Sequence, residues 1–266
     1  MRKIIYFDID GTIVSDDDRH IILKSTKNAM KKLHENGIYT VINTGRTRFN
    51  INEDIDSLGF DGYICGCGTF IEMNNKVLLY KTIPADECMD IVNLVRECNA
   101  SPLYERKDTF FFDNHTRNLG GLLKLKQLYE KQGKDVSNTT DNENFSFDKF
   151  VIWYDEKSDI DSFKKGIEGK FDFIDRGGDV DSFFAEMVPC GYSKGTGIKY
   201  MNDLLEINYE DTYAAGDSLN DLPMLQAVKY PIVIGKNSPL VSYSFYNSDD
   251  FDDDGLSNAF KHFSLI

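Results

Sequence analysis

Apolar runs that break off at an aspartate or a glycine constrain this chain more than any other feature. Ile4-Ile5-Tyr6-Phe7 runs into Asp8, Ile38 to Ile42 runs into Asn43-Thr44-Gly45-Arg46, and Thr212-Tyr213-Ala214-Ala215 runs into Gly216-Asp217. A short run with no polar alternation predicts a strand covered on both faces, as in a parallel sheet between helices. Lys24 to Asn36 carries apolar or small residues at Ala29, Met30 and Leu33 and stops at Gly37, which predicts a helix with a glycine cap. A polar helical stretch to Leu58 leads to a third strand, Gly62-Tyr63-Ile64-Cys65, and then to a hairpin over 70–72 and 76–80, split by Asn74-Asn75. Strand, helix, strand, helix, strand predicts an α/β fold with a doubly wound, Rossmann-like parallel sheet.

The pattern changes near Ile83-Pro84. New units follow: a helix over 86–98, strands over 109–113 and 149–154, a helix over 158–168 and a short strand over 171–174. Residues 131–144 read as a polar surface loop, and Asp175-Arg176-Gly177-Gly178-Asp179 as a turn. After Pro189 the first pattern resumes, with helices over 193–205, 220–227 and 255–263 and a strand over 231–234. A chain of 266 residues is long enough for two cores. The division expected is residues 1–83 and 184–266 as one α/β core, with 84–183 inserted as an α+β cap domain.

Composition narrows the function. A formal net charge of -14 repels nucleic acid and anionic lipid, so neither a nucleic-acid nor a membrane partner is expected. Any anionic substrate then needs local cations at its site. The four histidines are scattered and the five cysteines form no zinc pattern; Cys65 and Cys67 read as small buried residues. The apolar run at the start is too short for a signal peptide, and no stretch is long enough to span a bilayer, so the protein is expected to be cytoplasmic.

Four polar constellations fall at strand ends or at the helix starts after them. Asp8 and Asp10 are two apart on an extended segment and share a face, so both are expected in the crevice where open α/β sheets bind ligands. Two carboxylates that close repel unless a cation or a shared proton compensates; one suits a nucleophile and the other a proton donor and acceptor. Gly11 lets the chain turn and frees N–H groups for an anion. The same segment also reads as a helix-capping turn. Thr44-Gly45-Arg46 offers a hydroxyl and backbone N–H groups to a phosphate oxygen, or simply caps a helix. Lys194 opens a helix against the macrodipole, which an anionic site nearby would explain and a solvated lysine equally would. Asp217 and Asp221, four apart, make a second carboxylate pair or an acidic first turn. Taken together they lie on one edge of one sheet. Clustered aspartates without histidine or cysteine favour Mg²⁺ before zinc.

In order along the chain, DIDGT (8–12), TGR (44–46), SKG (193–195) and GDSLND (216–221) resemble the four motifs of the haloacid dehalogenase superfamily of phosphohydrolases. The large insertion between the second and third resembles the Cof-type branch, sugar- and cofactor-phosphate phosphatases with a mobile α/β cap. Asp253-Asp254-Gly255-Leu256 is similar to the late Asp-Gly-Val of that branch, whereas Gly66-Cys67-Gly68-Thr69 departs from the Asn-Gly-Ala that often follows the third strand. The resemblance implies that Asp8 attacks phosphorus and that Asp10 protonates the leaving oxygen and later activates water. It implies that Thr44 and Lys194 hold the transferring group, and that Gly11, Gly45, Arg46 and Asn220 line the phosphate site. Mg²⁺ would be held by Asp8, the Asp10 carbonyl and Asp217, with Asp221 beside it orienting Lys194 or a metal-bound water. So many parts are required because phosphate monoesters hydrolyse so slowly that enzymes accelerate the reaction by up to ~10²¹.

The resulting expectation is a Mg²⁺-dependent phosphatase for a small phosphorylated metabolite, a sugar phosphate or a cofactor or nucleotide phosphate, working as a monomer or weak homodimer. A phosphomutase of similar fold and a phosphate-ligand-binding protein without turnover are the alternatives. In the inserted segment Glu105-Arg106-Lys107 and Arg117 are candidate substrate contacts, while Phe110-Phe111-Phe112 reads as core. Asp250, Asp252, Asp254 and Gly255 match the first half of an EF-hand loop, but Lys261 stands where the bidentate glutamate is needed, which favours a solvated acidic loop.

Overall fold

Residues 2–17, 19–179 and 182–266 are described by a computed structural model. In chain order the elements are β1 (Ile4–Phe7), α1 (Lys24–Glu35), β2 (Tyr39–Asn43), α2 (Glu53–Asp56), β3 (Gly62–Cys65), β4 (Phe70–Met73), β5 (Lys76–Tyr80), α3 (Ala85–Glu97), β6 (Ser101–Glu105), β7 (Phe110–Phe112), α4 (Gly120–Lys131), β8 (Lys149–Tyr154), α5 (Ile160–Ile167), β9 (Phe171–Asp179), β10 (Ser182–Pro189), α6 (Lys194–Leu205), β11 (Thr212–Gly216), α7 (Leu222–Leu225), β12 (Tyr230–Val233), β13 (Tyr246–Asn247) and α8 (Gly255–His262). They form two compact units, Met1–Tyr80 with Tyr192–Ile266, and Lys81–Gly191. Among the described residues no helix is long and apolar enough to cross a membrane.

The first unit is built on a sheet of order β13-β12-β11-β1-β2-β3-β4-β5. All pairs from β13 to β3 are parallel, and β4 and β5 add an antiparallel hairpin. β1 shows why its sequence has no polar alternation. Ile5 and Phe7 pack with Ala29, Met30 and Leu33 of α1 and Phe260 of α8, while Ile4 and Tyr6 pack with Ile198 and Met201 of α6 and Met224 and Leu225 of α7. Successive side chains enter opposite apolar layers, so every position must be hydrophobic. From β1 the chain adds β2 and β3 on one side; after the inserted unit it returns to β11 on the other. The order therefore reverses between β1 and β11, the kind of point at which open α/β sheets form ligand crevices. The helical stretch expected up to Leu58 is instead a 3₁₀ turn over Arg48–Asn50 and the four-residue α2, whose start is fixed by the Asn52 side chain accepting from the Ile55 N–H at 3.1 Å.

The second unit has an antiparallel sheet of order β7-β6-β8-β10-β9. One face packs Tyr104, Phe150, Ile152, Ala185 and Met187 against α3 and α5 residues such as Val92, Val95 and Phe163. Three of its elements, β6, α4 and β10, lie outside the sequence reading. Pro102 near the start of β6 and the Gly120-Gly121 start of α4 are residues that argue locally against strand and helix. β10 pairs with both β8 and β9, so the expected boundary at 183/184 cuts through a strand and the unit instead runs to Gly191. The segment 175–179, expected as a turn, is the second half of the nine-residue β9. The two glycines that made it read as a turn, Gly177 and Gly178, have φ of 77° and 151°, and the register shift between Phe183 and Ala185 of the facing strand accommodates them. Phe110, Phe111 and Phe112 are buried, and none of the five cysteines is in a disulfide, with Cys65 and Cys67 buried.

Candidate active site

Parallel pairing of β1 with β11 joins the two segments of the first unit that residues 81–191 separate in sequence. Phe7 is in register with Ala215, and the Asp8 N–H donates to the Ala215 carbonyl at 3.0 Å. Asp8 and Asp217 thus leave adjacent strands on the same edge. The chain then turns sharply at Gly11, which has φ of 75°, and the Gly11 N–H donates to the Val14 carbonyl at 2.8 Å. A Cβ on Gly11 would fall onto the Asp217 carboxylate, so glycine is required there both for conformation and for space. The Thr12 hydroxyl, buried behind the turn, donates to Asp217 Oδ1 at 3.1 Å.

Lys194 enters from α6. Ser193 caps that helix reciprocally with Thr196, the Ser193 Oγ accepting from the Thr196 N–H at 3.1 Å and the Thr196 Oγ1 from the Ser193 N–H at 2.8 Å. The Lys194 side chain is 1% exposed and its Nζ donates to Asp8 Oδ1 and to Asp221 Oδ1, each at 2.6 Å. The lysine that opposed its helix dipole is therefore held by two carboxylates. Asp221 in turn is fixed through Oδ2, which accepts from the N–H groups of Asp217 at 2.9 Å and Ser218 at 3.2 Å. Gly216 leaves room for it, since a Cβ there would collide with the Asp221 carboxylate. From β2, the Asn43 amide donates to the Lys194 carbonyl at 2.9 Å.

The electrostatics follow from counting. Asp8, Asp217 and Asp221 each offer an oxygen, all within 4.8 Å of one another, and one ammonium faces them. Burial first, then the charge of Asp221, pushes the Asp8 carboxyl up to about 7 against the pull of Lys194. Burial, then Asp221 and Asp8, pushes Asp217 up to about 8. Burial alone would lower the Lys194 ammonium, but Asp221 and Asp8 outweigh it and raise its pKa, so the lysine stays charged. Three carboxylates, two of them buried and Asp217 half-buried, with one cation are short of positive charge. An all-oxygen donor set of this size fits a hard divalent cation, which would supply what is missing.

Of the four residues expected around a metal, the carboxylates of Asp8, Asp217 and Asp221 come together and that of Asp10 does not. Asp10 turns away to Arg46, whose Nε donates to Oδ2 at 3.0 Å and whose Nη2 donates to Oδ1. The expected contribution of Asp10 to a metal is its backbone carbonyl, so the pairing of its side chain with Arg46 does not bear on that expectation. Asp221 lies in the group, but both of its oxygens already accept hydrogen bonds, which suits a holder of Lys194. Thr44 is buried at the end of β2 and its Oγ1 accepts from the Arg46 N–H at 3.1 Å, so Thr44, Gly45 and Arg46 form one tight turn at this edge. Asn220 is half-buried with its Oδ1 taken by the Ser218 hydroxyl at 2.6 Å.

Other candidates have structural work. Arg117 is bound to Asp155 by two bonds of 2.8 Å, Arg106 to Asp108 at 2.5 Å, and Glu105 pairs with Lys149. In the acidic loop, Asp250 accepts from the Lys236 N–H at 2.8 Å and Asp252 from Arg19 at 2.8 Å. Three residues of the site escaped the sequence reading: Thr12 on Asp217, Asn43 on Lys194, and Ser238, whose hydroxyl donates to the Asp217 carbonyl at 2.6 Å. Thr12 closes the quoted DIDGT without having been given a role, and Asn43 adjoins TGR, where a polar residue at the buried end of an apolar strand was the available signal. Nothing local distinguishes Ser238.

Residues 5–260 match the family described as haloacid dehalogenase-like hydrolase. The YkrA protein of Bacillus subtilis (strain 168) is 27% identical over 273 residues, covering 99% of this chain and 98% of its own. An HMP-PP phosphatase of Yersinia enterocolitica is 27% identical over 243 residues, 90% of this chain and 86% of its own. Among solved structures, BT1666 from Bacteroides thetaiotaomicron, one of the phosphatases of the haloalkanoate enzyme superfamily, superposes with a TM-score of 0.80 at 26% identity, covering 100% of this chain and 96% of its own.

Proposed function

Since the chain belongs to the haloacid dehalogenase-like hydrolases and is a phosphatase, we propose that it hydrolyses a small phosphorylated metabolite by way of a phosphoryl group carried on Asp8. The observation that carries this reading is Lys194 held between Asp8 and Asp221 at 2.6 Å from each, with Asp217 alongside. Asp8 Oδ1 is bound to Lys194, while Oδ2 has no hydrogen bond among the described residues and is the oxygen available to phosphorus. Its bond to phosphorus forms as the bond to the leaving oxygen breaks, and Asp10 gives that oxygen a proton. In the second half Asp10 takes a proton from the water that attacks phosphorus, and the Asp8 carboxylate is released.

Lys194 has three N–H donors and two are directed at carboxylates, which leaves one for an oxygen of the transferring group. The Thr44 hydroxyl and the turns at Gly11 and Gly45 would hold the other oxygens, with Asn220 at the rim. Arg46 joins them only through the N–H groups that do not face Asp10 and Asn50. Mg²⁺, held by Asp8, the Asp10 carbonyl and Asp217, would neutralise negative charge on the phosphoryl oxygens and on the acidic cluster. The substrate class we propose is a sugar phosphate or a cofactor or nucleotide phosphate; that a Yersinia relative is named HMP-PP phosphatase supports the phosphatase reading. The test is phosphate release from a panel of phosphorylated metabolites and from p-nitrophenyl phosphate. Free phosphate should accumulate with Mg²⁺ and stop with EDTA or in Asp8→Asn. An isomerised sugar phosphate in place of free phosphate would indicate a mutase.

A further inference from the structure

The Asp10 carboxylate is the one acidic group of the four motifs that lies outside the carboxylate cluster, and both its oxygens meet a single partner. Arg46 grips them with its fork, Nε on Oδ2 at 3.0 Å and Nη2 on Oδ1. No other side chain or N–H donates to that carboxylate among the described residues. Arg46 is itself anchored at three further points. Its Nη1 donates to the Asn50 carbonyl at 3.3 Å, its N–H to Thr44 Oγ1 at 3.1 Å, and its carbonyl accepts from the Gly66 N–H at 2.9 Å. The guanidinium is thus a rigid bracket projecting from the end of β2 onto the turn after β1.

We propose that Arg46 is a positioning residue for the acid–base carboxylate of Asp10. The inference rests on the reading of Asp10 given above. An aspartate next to a glycine turn has little to fix its side chain, and misplacing a reacting group by about 1 Å can cost ~10²-fold in rate. A two-point grip sets both the direction and the rotation of a carboxylate, which the single point charge of a lysine does not. The pair is partly open to solvent, its side chains 30% and 39% exposed, so it adds little to stability and its value lies in orientation. The sequence reading of Arg46 as a phosphate ligand makes a different forecast, because a phosphate ligand acts on every substrate alike.

The experiment compares aryl and alkyl phosphates of graded leaving-group basicity in the first turnover of the full-length, Mg²⁺-loaded chain. p-Nitrophenolate departs without a proton, whereas an alkoxide needs one. Arg46→Ala should slow alcohol release from an alkyl phosphate by on the order of 10²-fold and p-nitrophenolate release by well under tenfold, with KM nearly unchanged. Arg46→Lys should recover only part of the loss, and added guanidinium ion should rescue Arg46→Ala but not Asp10→Asn. Asp10→Asn is the reference and should show the same graded loss, with the double variant no slower than Asp10→Asn alone. If Asp10→Asn is graded but Arg46→Ala is slowed equally on all substrates, or mainly raises KM, Arg46 is a phosphate ligand and the proposal is wrong. If Asp10→Asn itself shows no grading, the acid–base reading fails and the proposal fails with it.

Discussion

Lys194 lies between Asp8 and Asp221, with Asp217 alongside; Lys149 of the inserted unit lies between Glu186 and Glu105, with Arg176 also on Glu186. Both groups are buried in or at the end of a sheet. One sets a single cation against three carboxylates, and the other sets two against two. The carboxylates respond in opposite directions. Asp8 and Asp217 are pushed up to about 7 and about 8, whereas Glu186, as buried as Asp8, is drawn down to about 2 because Lys149 and Arg176 overcome the cost of burial. Burial alone therefore does not mark a functional site. A deficit of positive charge does, because only a ligand can relieve it, while a balanced group is complete and serves the fold.

The contrast is broken most severely at Asp8. Asp8→Asn should lower the steady-state rate by on the order of 10⁴-fold or more while leaving the fold intact, whereas Glu186→Gln should leave the rate per folded molecule within tenfold. Assays of p-nitrophenyl phosphate hydrolysis beside thermal melts distinguish the two. Asp217→Asn comes next, with a loss on the order of 10²–10³-fold. It should also stabilise the cation-free chain at high pH. A carboxyl raised in the folded state binds its proton more tightly there than when unfolded, so from about pH 4 to about pH 8 the folded chain holds more protons and stability falls as pH rises. Melts in EDTA should show Asp217→Asn above the parent at pH 9 and converging with it near pH 4.

Glu186 has the reverse sign. Its folded pKa is depressed, so its contribution is present above the ordinary glutamate range and is lost as pH falls from about 4.5 towards about 2. Glu186→Gln should cost about 3 kcal/mol at pH 7 and almost nothing near pH 2, as measured by urea unfolding. The smallest effect is expected for Glu105→Gln. Glu105 meets Lys149 at 3.5 Å, and Lys149 keeps Glu186, so about 1 kcal/mol is expected in the same assay.

The same contrast explains what could be read from the chain. β1 and Asp8 were legible because both faces of the strand are covered, which forces an unbroken apolar run and makes the first polar residue conspicuous. Lys194 was legible because a lysine in the first turn of a helix is out of place. The Arg46–Asp10 grip was not, because nothing in the spacing of TGR and DIDGT says whether arginine meets carboxylate or phosphate. In the inserted unit β6 and β10 were hidden by their own tertiary pairing: Glu105, Lys149 and Glu186 occupy buried strand positions that a periodicity argument assigns to apolar residues. Those charges are tolerated only because strands distant in sequence bring them together.

Calorimetric titration of Mg²⁺ at pH 7.5, in two buffers of different ionisation heat, tests the central claim most directly. One site per chain should fill with release of protons, since Asp8 and Asp217 are raised into that range and must ionise to bind. The release should shrink at pH 9, and Asp217→Asn should lose the binding. No binding to the parent chain, or the same binding and proton release in Asp217→Asn, would contradict the claim that this charge-deficient cluster is the cation site.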